Sequence, residues 1–336
     1  MTLFAAGGTD FWRWQPHPEV WVLVGGVVVL SGYALRVVGP KVVEPGTPVI
    51  TRKQLAWLVL GVITLWVASD WPMHDIGEEY LFSVHMWQHM LLTYAVPPIF
   101  LLATPEWLAR VVLGRGLAKR AFYALARPVP AAVIFNALIL FTHWAGMVNA
   151  SVGNALVHYL VHAALVSSAF LLWTPVCGPL PELRISYPAQ MLYLFVTSII
   201  PTVPAGWMTF ADGAIYSSYD IPERMFGMSV TTDQQMAGLL MKLVAGGFLW
   251  VVITLRFFQW AARFSDTDKA SEQAGPAHEL AWADGPDAEG EALAPATPAD
   301  TAKVADEADP VTVPDGDLTW DHVEREFERH PAPKEG

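Results

Sequence analysis

Residues 82–103 read FSVHMWQHMLLTYAVPPIFLLA, an unbroken run without Asp, Glu, Lys or Arg. At 1.5 Å per residue a helix of this length rises about 33 Å, enough to cross the roughly 30 Å hydrocarbon layer of a bilayer. Six further stretches are as apolar, at about 19–38, 54–71, 129–148, 154–174, 188–211 and 235–258. The chain is therefore predicted to be all-α, a polytopic membrane helical bundle of seven transmembrane helices across residues 19–263. Composition agrees: 53% of its 336 residues are hydrophobic and only 15% are charged, a balance unlike that of ordinary soluble domains.

Loop charge predicts the orientation. Arg36, Lys41, Arg52, Lys53, Arg110, Arg115, Lys119, Arg120, Arg127, Arg184, Arg256 and Arg263 fall on one side, against Arg13 and Arg224 on the other. Cytoplasmic loops hold the excess of Lys and Arg, so residues 1–18 are expected outside and the C-terminus in the cytoplasm. Asp70, Asp75, Glu78 and Glu79 then form an acidic external loop. No basic segment leading into an apolar core and cleavage site opens the chain, so no cleaved signal peptide is expected. The net charge of −12 belongs to residues 265–336, with 19 acids and 5 bases, whereas the preceding body carries 13 and 15. Rich in Ala, Pro, Asp and Glu, residues 264–336 read as a disordered acidic cytoplasmic tail, with a short amphipathic helix at about 318–330.

One cysteine, Cys177, excludes paired-thiolate metal motifs within the chain. Histidine is the informative residue. His85 and His89 lie one helical turn apart, as do His158 and His162, and each pair shares a helix face. Depth along the spans places these four and His143 about 5 to 12 Å below the same external boundary. A single buried His is more often a hydrogen-bonded packing residue. Two such pairs and a fifth His at matched depth, drawn from three spans, favour a site, since ionisable groups in a membrane are costly and tend to be functional. Met86, Met90 and Met208 share the layer as weaker candidates. Imidazole with thioether suits copper, above all Cu(I); zinc on three or four histidines is the alternative.

Other marks read both ways. Pro97-Pro98 removes two amide donors and frees carbonyls one turn back, near Thr93 and Tyr94. Asp233 serves equally as an N-terminal cap of the last span or as a partner to an imidazole. Lys242 lacks an acidic partner in the third span, which argues against a Schiff-base site and for a backbone or interfacial partner.

HMWQHMLLTYAVPPIFLLATP (residues 85–105), HYLVH (158–162) and TTDQQMAGLLM (231–241), in this order and spacing, resemble the multi-span CtaG family of cytochrome c oxidase assembly factors, associated with caa-type oxidases. The likeness runs over roughly residues 55–260. It implies a non-enzymatic protein of the bacterial cytoplasmic membrane that works with cytochrome c oxidase subunits in a lipid setting, with a suspected part in supplying copper and no nucleic-acid partner. It also draws Gln88, Gln234 and Gln235, with Asp233, into the surroundings of the site. The reading is a copper-binding or copper-delivering assembly factor. Its rivals are a haem-binding membrane protein with bis-His ligation and a copper transporter.

Overall fold

The computed structural model describes residues 11–283, with side chains described through residue 265. Two units divide the chain, residues 1–268 and 269–336. In the second, the described part is helical backbone to Ala283, so helix continues beyond the tail boundary expected at 264. The amphipathic helix expected near 318–330 lies outside the described residues.

Caps and prolines set where the apolar stretches become helices. Helix α1 is Pro18–Val42 and α2 is Arg52–Glu79, the latter opened by a capping box between Thr51 and Gln54. Next come α3, Phe82–Ala103, and α4, Glu106–Leu113, bent 103° from each other. The pair α5, Leu117–Leu125, and α6, Pro128–Thr142, is bent by 78°. The short α7, Ala145–Val152, leads to α8, Ala155–Cys177, which Asn154 caps. Helix α9 is Tyr187–Thr209, and α10 begins at Val230 as an apolar run to Ser265. Among the described residues there is no strand. Five helices are long and apolar enough to cross a membrane, and seven crossings result if each bent pair counts as one.

Several boundaries differ from the sequence reading. The basic segment after α3 is helical, because α4 and α5 fold as amphipathic turns bent away from the spans. The acidic stretch after span 2 is helical too: after an interruption at Asp70–Pro72, Met73–Glu79 resumes as the end of α2. The span expected to reach 148 stops at Thr142, with Trp144 extended. The His143 carbonyl there accepts Tyr216 Oη–H at 2.8 Å, which gives it a tertiary partner outside the helix ladder.

Helix α3 lies at the centre, packed against α2, α8 and α10. Its Phe82, Met86, Met90 and Tyr94 join Phe135, Leu172 and Met241 in one buried cluster. The opposite faces of the outer helices are bare and apolar, as at Val22 and Leu30, which suits a lipid surround. The carbonyl freed by Pro97 is that of Thr93, and Trp173 Nε1–H donates to it at 3.1 Å; it is satisfied from α8 instead of offered to a ligand. A π turn at Leu91–Ala95 precedes these prolines, and another lies at Met241–Ala245. Close approach of α9 and α10 requires Gly238, where a Cβ would lie 2.6 Å from the Ala205 carbonyl oxygen. Lys242 Nζ donates to Thr202 Oγ1 at 2.7 Å, beside the break in α9 at Ser198–Pro201.

Candidate metal centre

Helix periodicity aims both histidine pairs inward, and the start of α3 is clamped where they need it. Asp233 accepts the first-turn amides of Phe82, at 2.7 Å, and Ser83, at 3.0 Å. A carboxylate here satisfies two otherwise orphaned donors and complements the helix dipole. Asp233 thus binds the backbone of α3, three residues before His85, instead of an imidazole. The end of α2 presses against the same turn, where Gly77 lets the chains meet: a Cβ there would stand 3.0 Å from His85 N.

Four imidazoles from α3 and α8 come together. Ring centroids are 4.4 Å apart for His85 and His89, 4.5 Å for His89 and His162, and 4.3 Å for His158 and His162. His85, His89 and His162 each offer a nitrogen, and these nitrogens all lie within 4.8 Å of one another. They line a cavity of about 30 Å³, room for one occupant of water or ion size. His143 closes the wall of this cavity as the residue just past α6. Its Nδ1–H donates to the Ile139 carbonyl at 2.7 Å, leaving the Nε2 lone pair directed elsewhere. His85 Nδ1, His143 Nε2 and His162 Nε2 are buried without a hydrogen-bond partner among the described residues. Stranded polar atoms of this kind are costly and uncommon.

The other candidates are divided. Met86 is buried and lines the cavity. Met90 sits in the apolar cluster, and Met208 takes a hydrogen bond from Tyr216 at 3.6 Å. Gln88 donates through Nε2 to His74 Nδ1 at 3.2 Å. Gln234 holds the loop before α10, accepting from Ile215 N at 2.7 Å and donating to the Tyr216 carbonyl at 3.2 Å. Gln235 donates to the Ala211 carbonyl at 2.9 Å.

Residues of the external segments also gather at this end of the bundle. Glu78 Oε1 contacts His158 Nε2 at 2.5 Å and His74 Nδ1 at 3.4 Å. His17 Nε2 pairs with Asp75 at 2.6 Å, its Nδ1 reaches Glu19 at 3.2 Å, and its ring meets His74 edge-on at 4.7 Å. Burial acts to depress the His17 pKa, but the Asp75 hydrogen bond and charge, with help from Glu19, outweigh it and raise the value. The His74 and Glu78 pair has the same one-turn spacing as the histidine pairs, a signal the sequence carried.

No curated protein and no solved structure matches the chain. The sequence pattern of a family described as cytochrome c oxidase caa3 assembly factor matches residues 32–263, a stretch that takes in the four clustered histidines, His143, Glu78 and Asp233 but not His17 or Glu19. The chain belongs to this family of cytochrome c oxidase caa3 assembly factors, Caa3_CtaG.

Proposed function

We propose that the chain holds Cu(I) as cargo on His85, His89 and His162 and supplies it during assembly of a haem-copper oxidase. The carrying observation is the convergence of one nitrogen each from His85, His89 and His162 within 4.8 Å on an ion-sized cavity, with His85 Nδ1 and His162 Nε2 buried and unpartnered and His89 Nε2 2.9 Å from His85 Nε2. Neutral imidazole lone pairs suit copper, and the Met86 thioether in the same wall adds a soft donor. The wall carries no carboxylate, so the donor set does not suit magnesium or calcium. A site this small favours a single ion over a porphyrin, which needs two imidazoles spaced across a flat macrocycle. In this reading the histidine-bearing end of the bundle is the outer face of a bacterial cytoplasmic membrane and the arginine-rich end is cytoplasmic. A copper centre buried in the bilayer is better served by a donor at membrane depth than by a soluble one. The role is delivery without catalysis.

The test is complementation of a deletion strain with wild type, His89→Ala or His162→Ala. Oxidase activity and copper content of the isolated oxidase are the measurements. Both variants are expected to lower oxidase copper at least tenfold while being present in membranes at wild-type level. Full rescue by both would remove the site from the mechanism.

A further inference from the structure

Above the buried trio the polar side chains form a graded series that packing does not require. Side-chain exposure falls from 31% at Glu78 to 13% at His74 and 9% at His158. One carboxylate oxygen is the hub: Glu78 Oε1 lies 2.5 Å from His158 Nε2 and 3.4 Å from His74 Nδ1. The Gln88 side-chain amide hydrogen-bonds His74 Nδ1 at 3.2 Å. His74 Nδ1 thus stands between the Gln88 amide and Glu78 Oε1, 3.2 and 3.4 Å away.

We propose that Glu78, His74 and His158 form a receiving site through which the cation reaches His85, His89 and His162. This rests on the copper cargo reading. A carboxylate is a poor ligand for a soft cation, so Glu78 acts through its charge, drawing the ion from water to two imidazoles without holding it tightly. His158 is common to both sites. Its ring lies 4.3 Å from His162 and 5.8 Å from His85. The transfer is a ligand exchange: the bond to His74 breaks, bonds to the trio form, and His158 remains attached while the ion crosses. No electron moves. In the empty site His158 Nε2–H donates to Glu78 Oε1 at 2.5 Å; on loading the ring exchanges tautomer through water, its proton moving to Nδ1, 3.3 Å from Ser151 Oγ, and Nε2 takes the ion.

Loading kinetics test the site separately from the trio. The full-length chain, purified in detergent under reducing, anaerobic conditions, is mixed with Cu(I) bathocuproine disulfonate. Decay of the chelator colour gives the rate, and elemental analysis after gel filtration gives final copper per chain. Glu78→Gln and His74→Ala are each expected to slow loading about tenfold or more at low salt and to reach the wild-type final value. The deficit of Glu78→Gln should shrink as salt screens the attraction. Glu79→Gln, a nearby exposed carboxylate outside the series, should load at the wild-type rate, whereas His162→Ala should lose final copper. If Glu78→Gln and His74→Ala load as fast as wild type, the receiving site is overturned and the trio stands. The receiving role also fails if either variant reaches a lower final value at an unchanged rate. Wild type that takes up no Cu(I) overturns the cargo reading itself. Elution volume and helical circular dichroism identify a misfolded variant, and the other then decides.

Discussion

Asp233 gives the sharpest test of how the metal centre is built. Its two carboxylate oxygens accept buried amides of Phe82 and Ser83 at 2.7 and 3.0 Å. Asp233→Ala strands both donors in a region with no easy access to water. At about 1.5–3 kcal/mol for each charge-assisted bond, the loss is about 3–6 kcal/mol. Asp233→Asn retains one acceptor oxygen and should cost about half as much, about 1.5–3 kcal/mol. Reversible unfolding in mixed detergent micelles, followed by helical circular dichroism, measures both. Since His85 is the fourth residue of α3, Cu(I) affinity should fall in the same order as stability. A different pattern would refute the clamp: both variants within about 0.5 kcal/mol of wild type, or Asp233→Asn weakening copper binding with stability unchanged. The second pattern is what an imidazole-orienting carboxylate would give.

Trp173→Phe removes the donor to the Thr93 carbonyl that Pro97 leaves free; the same unfolding assay should show a loss of about 1–2 kcal/mol, and no loss would mean the carbonyl had never needed a partner. For His17, whose charged form faces Asp75 and Glu19 with His74 at its edge, the raised pKa means the folded state holds the proton more tightly than the unfolded one. The stabilisation is therefore complete below about pH 6.5 and disappears as pH rises through the higher folded value. Hydrogen exchange, corrected for intrinsic rates, should show residues 11–18 better protected at pH 6 than at pH 8.5, with the difference absent in His17→Ala.

What could be read from the sequence follows from periodicity. His85 and His89, and His158 and His162, are four apart in helices whose existence the apolar runs made plain, so each pair had to share a face. That the two faces meet is a tertiary fact: it depends on how α3 and α8 rotate about their axes, and apolar runs with no polar side leave that rotation unmarked. Asp233 was legible as a cap, but as the cap of its own helix. Capping α3 instead, some 150 residues earlier in the chain, follows from the packing of α10 on α3. His74 and Glu78 were hidden by the expectation of a loop. The resumption of helix at Met73 turned their one-turn spacing into a shared face.

The π turn at Leu91–Ala95 lies directly beneath His89. A wide turn of this kind holds one residue more than the α-helical path needs, and one residue corresponds to about 100° of rotation about the axis. The two halves of α3 are thereby set out of phase: Phe82–Met90 presents imidazoles to α8, while Val96–Ala103 is free to present the faces that pack on α2 and α8 below. Shortening the turn by one residue would bring the halves back into phase and swing the histidine pair about a quarter turn away from its partners. The aim of the ligands is thus fixed by the number of residues in this turn more than by their identity, which lets the turn's side chains vary while its length stays constrained.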